Sequence, residues 1–129
     1  MAERGIKKIW VDTMIASGAI YQWGLVDQAS SSTVETPTNL TTDAFGIALD
    51  DAADGEPVKI LRKGRCYGID EGGDLNLHDY VAGFNGAAEY HKLETGTQGT
   101  TGAFGRVCGD DSSTVDDLVL CDFDFINLY

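Results

Sequence analysis

Basic residues are scarce in this chain. Nine Lys and Arg stand against 21 Asp and Glu, a formal net charge of −12. That balance argues against nucleic-acid binding, which needs a cationic footprint. It favours solubility and attraction to a cationic partner or surface. Cysteine is scarce too. Cys66, Cys108 and Cys121 show no CxxC spacing, so a structural zinc site is not expected. Their odd number and apolar neighbours predict buried free thiols and assembly in a reducing compartment. No apolar run approaches membrane-spanning length. The basic start "MAERGIKKIW" is not followed by an apolar stretch of signal-peptide length, so no secretory signal is expected, and the sequon at Asn39–Thr41 is read as having no role.

Catalytic motifs are missing as well. No serine sits in GxSxG, and no phosphate loop or dinucleotide fingerprint appears. Cys66 follows Arg65, which favours a thiolate, but no partner base is evident. His78 and His91 are isolated and read as surface imidazoles. The phrase "GDD" at Gly109–Asp111 is read as a solvated turn rather than a metal site. Asp50, Asp51, Asp54 and Glu56 do not follow the alternating ligand spacing of an EF-hand loop. No enzyme activity, cofactor or metal is expected. The rival from another class is a small β-barrel ligand or metal binder that uses the Asp turns.

What is abundant is turn-formers and short apolar alternations. Sixteen glycines, with many Thr, Ser and Asp, separate short segments. "AIYQWGLV" alternates with a large aromatic side. "LVLCDFDF" alternates Leu118, Leu120, Asp122 and Asp124 against Val119, Cys121, Phe123 and Phe125. A short strand is expected near Thr33–Thr36, because the polar stretch around it is too long to be structureless. "RKGR" reads as a glycine turn, and "NG" at Asn85–Gly86 as a hairpin. The fold class is all-β: a small β-barrel or β-tulip-like sandwich.

Two phrases repeat. "DAFGIALDDAADGEP" (Asp43–Pro57) is echoed by "GAFGRVCGDDSSTVDD" (Gly102–Asp117). The Asp pairs fit either a site used twice or turns in a duplicated sheet. Aligning the halves sets Leu25 over Tyr80, Val26 over Val81, "AFGIAL" over "AFGRVC" and "PVKIL" over "DLVLC". Phe45 and Phe104 become equivalent core residues, and Gly46 and Gly105 mark bends or close backbone approach. Neither half alone buries its apolar face. The expected layout is an N-terminal arm over residues 1–17 and one β domain over 18–129, with pseudo-repeats of about 18–70 and 71–129.

The ordered phrases "DAFGIALDDAADGEPVKILRKGRCYGI", "GDLNLHDYVAGFNGAAEYHKLETG" and "GAFGRVCGDDSSTVDDLVLCDF" resemble the small head-decoration (capsid cement) proteins of tailed bacteriophages. The resemblance spans roughly Leu25 to Phe125. In that family a "GDxVY"-like phrase opens the second half; here Asp79-Tyr80-Val81 has His78 where the glycine is expected. The resemblance implies a protein made and assembled in the host cytoplasm that binds the outer surface of the assembled capsid. It implies a homotrimer that clamps neighbouring major capsid subunits. The alternative is another virion β-domain, a head-fibre base or tail accessory protein.

Charge patterning adds candidates for the contact. Seven of the nine Lys and Arg fall in Arg4–Lys8 and Lys59–Arg65. Trp10, Trp23, Arg62, Lys63 and Arg65 are the expected capsid or subunit contacts, because aromatics and Arg are enriched at interface hot spots.

Overall fold

The computed structural model describes residues 5–41, 44–86, 88–97, 103–109 and 114–126. Arg4, Asp110 and Asp111, singled out above, lie outside the described residues. Among those described, the chain forms nine β-strands and no α-helix. They are β1 (Lys7–Ala16), β2 (Leu25–Gln28), β3 (Thr33–Glu35), β4 (Gly46–Ala48), β5 (Pro57–Asp70), β6 (Tyr80–Gly83), β7 (Leu93–Thr95), β8 (Ala103–Val107) and β9 (Asp117–Asp124).

Their hydrogen-bonded order is β1-β3-β2-β4-β5-β7-β6-β8-β9, and β5 also pairs with both β1 and β9. The sheet therefore closes twice. One ring runs β1-β3-β2-β4-β5, the other β5-β7-β6-β8-β9, and the 14-residue β5 belongs to both. Closure removes the open edges that make isolated sheets associate.

The two rings have the same wiring. β1–β3 and β5–β7 are parallel, and every other ladder is antiparallel. Registers agree at most positions, apart from the shifts around Trp10 in β1 and after Val81 in β6. Val26 faces Gly46 as Val81 faces Gly105. Ala16 faces Val34 as Asp70 faces Leu93. Irregular backbone is repeated too: Gly18, Trp23 and Gly55 have positive φ in the first unit, as Gly73, His78 and Asp116 do in the second. The structure thus holds two copies of one five-stranded unit, the last strand of the first continuing as the first strand of the second. The Leu25/Tyr80, Val26/Val81 and Gly46/Gly105 equivalences match the sequence alignment. "PVKIL" matches one residue later than aligned, since Leu61 pairs with Val11 and Asp122 with Arg65.

The acidic turns close the same way in both copies. Glu56 accepts the amide of Ala53 at 2.7 Å, and Asp117 accepts that of Thr114 at 3.0 Å. The first turn also fastens the approach to β2: Asp54 accepts from Gly18 N–H and Asp51 from Gln22 N–H, each at 2.8 Å. The turn before β6 is built on the fully buried Asp70 carboxylate, which accepts the amides of Gly72, Asp74 and Leu75.

Alternation explains the core. One cluster fills the first ring with Met14, Val26, Val34, Val58 and Ile60. The other fills the second ring with Val81, Leu93, Phe104, Cys121 and Phe123, and also takes in Leu25, Ile47, Leu49 and Leu61 from the first unit. Ile60 and Leu61 are adjacent and both fully buried, one in each cluster. The outer face of the first unit is thus welded to the second.

Three local readings change. "RKGR" is not a turn but the middle of β5. Gly64 has φ +138°, and a Cβ there would lie 2.2 Å from the Lys7 carbonyl oxygen. Glycine serves close approach of β1, not chain reversal. The "NG" pair is not a two-residue hairpin turn: β6 and β7 pair around a longer connection, with Phe84 N–H bonded to the Lys92 carbonyl. Residues 7–16 of the expected arm are paired with β5 from Lys7↔Arg65 to Ile15↔Pro57. Register shifts around Trp10 disturb their alternation, which is why no clean period shows in the sequence.

Candidate functional site

Pairing of β1 with β5 brings the two basic segments of the sequence together. Lys7 faces Arg65, Lys8 faces Gly64 and Trp10 faces Lys63. Lys7, Lys63 and Arg65 line one side of this seam, and Lys8 lines the cleft on the other side with Lys59.

The five expected contact residues divide over this region. Trp10 is 46% exposed beside the seam, with its indole N–H donating to Asp12 at 3.3 Å. Arg62 is turned inward. Its guanidinium lies 3.8 Å from the centre of the Phe45 ring and 3.3 Å from the Asp12 carboxylate. By the repeat, Arg62 takes the place that Phe123 fills in the second unit, so it caps the first core with a cation–π contact. Lys63 pairs with Asp124 at 3.7 Å. Arg65 forms a two-pronged pair with Asp122, at 2.8 and 3.3 Å, and that carboxylate raises its already high pKa. Trp23 is apart from these. It is half-buried, edge-on to Tyr67 at 5.4 Å, and lines a cleft of about 440 Å³ with Ile6, Lys8, Leu49, Asp50 and Lys59.

A row of side chains across the second unit was not expected. Residues paired directly across neighbouring strands share one sheet face. In the first unit such a row runs Leu25–Ile47–Leu61–Val11 across β2, β4, β5 and β1. Its first three members are fully buried against the second unit. The equivalent row in the second unit is Tyr80–Arg106–Asp122–Arg65 across β6, β8, β9 and β5, and β1 extends it to Lys7. Arg106 is exposed, stacks 5.3 Å from the Tyr80 ring centre and donates to the His78 carbonyl at 3.0 Å. The same position is apolar and buried in one copy, polar and open in the other. The alignment of "AFGIAL" with "AFGRVC" carried the signal: it sets Arg106 over Ile47.

Two of the thiols and one imidazole are placed for packing. Cys66 and Cys121 are cross-strand partners, fully buried, and burial pushes both thiols well up. His91 is buried rather than a surface imidazole, stacked on Tyr21 at 4.6 Å. Burial lowers its pKa, and the neighbouring Lys92 adds to this. Burial also pulls Lys92 down, but its bonds to Asp116 and Glu89 outweigh that and leave it raised.

The fold is similar to that of the head fiber gp8.5 N base in bacteriophage phi29. The TM-score is 0.66 at 14% identity, over 93% of this chain and 98% of that one. At that identity the likeness shows a shared fold. No known protein family and no curated protein matches the sequence.

Proposed function

We propose that the chain is a structural protein of a tailed-phage virion that sits on the outside of the capsid. The observation that carries this reading is the whole-chain likeness to a phage head-fibre base. The decoration-protein resemblance of the Ala-Phe-Gly phrases and acidic turns points the same way. The doubled, closed β-unit suits a passive mechanical part: it is cross-braced by β5 and needs no moving element.

Two versions of the role follow. As a decoration protein, the chain clamps neighbouring major capsid subunits, working as a trimer whose repeated weak contacts sum by avidity. As a head-fibre base, it is a mount: one face holds the shell and another carries a distal part. The fold likeness supports the second version as well as the first. In neither is the chain an enzyme.

Mixing the purified chain with expanded, undecorated capsids tests the reading. Saturable binding that raises capsid heat stability is expected of a clamp. Saturable binding with unchanged capsid stability is expected of a mount. No binding at any salt concentration would contradict both.

A further inference from the structure

We propose that the row Tyr80–Arg106–Asp122–Arg65–Lys7 is the molecule's docking face for a partner protein surface rich in carboxylates. It deepens the capsid reading, which supplies only the partner's identity. Three observations carry it. The equivalent row of the first unit is itself an interface, since Leu25, Ile47 and Leu61 are buried where the second unit packs on them. The unit is therefore built to mate through this face.

Second, the face in the second unit is open and chemically altered. Arg106 replaces Ile47, Asp122 replaces Leu61, and Tyr80 replaces Leu25. Side chains that only solvated the face would need no order. Here Arg106 is held by the Tyr80 ring and the His78 carbonyl, and Arg65 by Asp122. Tyr and Arg held in place lose little entropy on binding and are the types that anchor interfaces.

Third, the charge is the reverse of the chain's. Three cations face one carboxylate along the row, on a chain of net charge −12. Arg65 is held by Asp122, whereas Arg106 and Lys7 make no ion pair among the described residues. The row crosses five strands, about 19 Å along the ladder. A partner with acidic side chains at that span complements it and is repelled by the rest of the surface, which orients docking.

Nuclear magnetic resonance titration with a hexaglutamate peptide, run beside capsid binding, tests the proposal. Shift changes should centre on Lys7, Arg65, Tyr80 and Arg106 and vanish in Arg106→Glu. Changes centred instead on the Lys8 and Lys59 cleft, or none, overturn it. On capsids, Arg106→Glu should lower affinity about tenfold or more while circular dichroism shows the fold retained, and Lys7→Glu should weaken it in the same direction. Capsid binding that both variants retain in full also overturns the proposal, leaving the row a solvated cap that stops further stacking of units. If the peptide maps to the row while the wild-type chain ignores capsids, the row stands and the capsid reading fails.

Discussion

Trp23 and His78 occupy the same place in the two units. Both adopt the left-handed backbone conformation, at φ 66° and 76°, and their amides donate to the carbonyls of Ala48 and Val107 at 2.7 and 3.0 Å. A left-handed residue is strained unless it is glycine. The relation shows that the shape of the turn was kept while its side chain diverged, one ring packing inward and one facing solvent.

Replacing the two by glycine should therefore have opposite effects. His78→Gly relieves strain and loses an exposed side chain, so stability should rise by up to about 1 kcal/mol. Trp23→Gly gives up the packing on Tyr67 and should cost about 3 kcal/mol or more. Urea denaturation of both variants checks the pair; a loss of stability in His78→Gly would contradict the assignment of strain.

Gly46 and Gly105 should respond alike to alanine. A Cβ at Gly46 would lie 2.4 Å from the Leu61 carbonyl oxygen, and one at Gly105 would lie 2.4 Å from that of Asp122. The backbones of β4 and β8 must then move off β5 and β9. Each substitution should cost about 1–3 kcal/mol, the range for overpacking. Equal losses by denaturant titration support the duplication, and a neutral Gly105→Ala would count against it.

The pH dependence has a defined sign at His91. Its pKa is held below the ordinary 6.5 by burial and then by Lys92, with Glu89 and Asp116 opposing. As pH falls through 6.5 the unfolded chain takes up the proton first. The stability tied to this imidazole is full above that pH and is lost as pH falls toward the folded-state pKa. Melting temperature should drop more steeply in the wild type than in His91→Gln between about pH 7 and about pH 5. Parallel curves would show that His91 carries none of the acid sensitivity.

Thiol labelling should follow burial. Cys108 is half-exposed, while Cys66 and Cys121 are sealed in the second core. Iodoacetamide with mass spectrometry should find Cys108 modified first, with the other two reacting only as the domain unfolds. Early labelling of Cys66 would mean that β5 and β9 part in the native state.

Much of this architecture was legible because the repeat is written in the strands themselves. Ala-Phe-Gly fixed the Gly46/Gly105 equivalence, and alternation fixed which side of β9 is buried. Position 64 was misread because glycine signals both turns and close approach, and only the neighbouring strand tells which. Residues 7–16 hid their period because the irregularity around Trp10 shifts the side-chain faces midway. The docking row was harder still. Its members are far apart in sequence, and the oddity of Arg106 appears only against buried Ile47. Arg62, chosen as a contact, turned out to cap the core in place of an aromatic.

Electron cryomicroscopy of undecorated capsids incubated with the chain tests the central claim most directly. Extra density on the outer shell is predicted, with the second unit's Tyr80–Arg106–Arg65 face toward the capsid surface. Bare shells, or density confined to the tail, would contradict it.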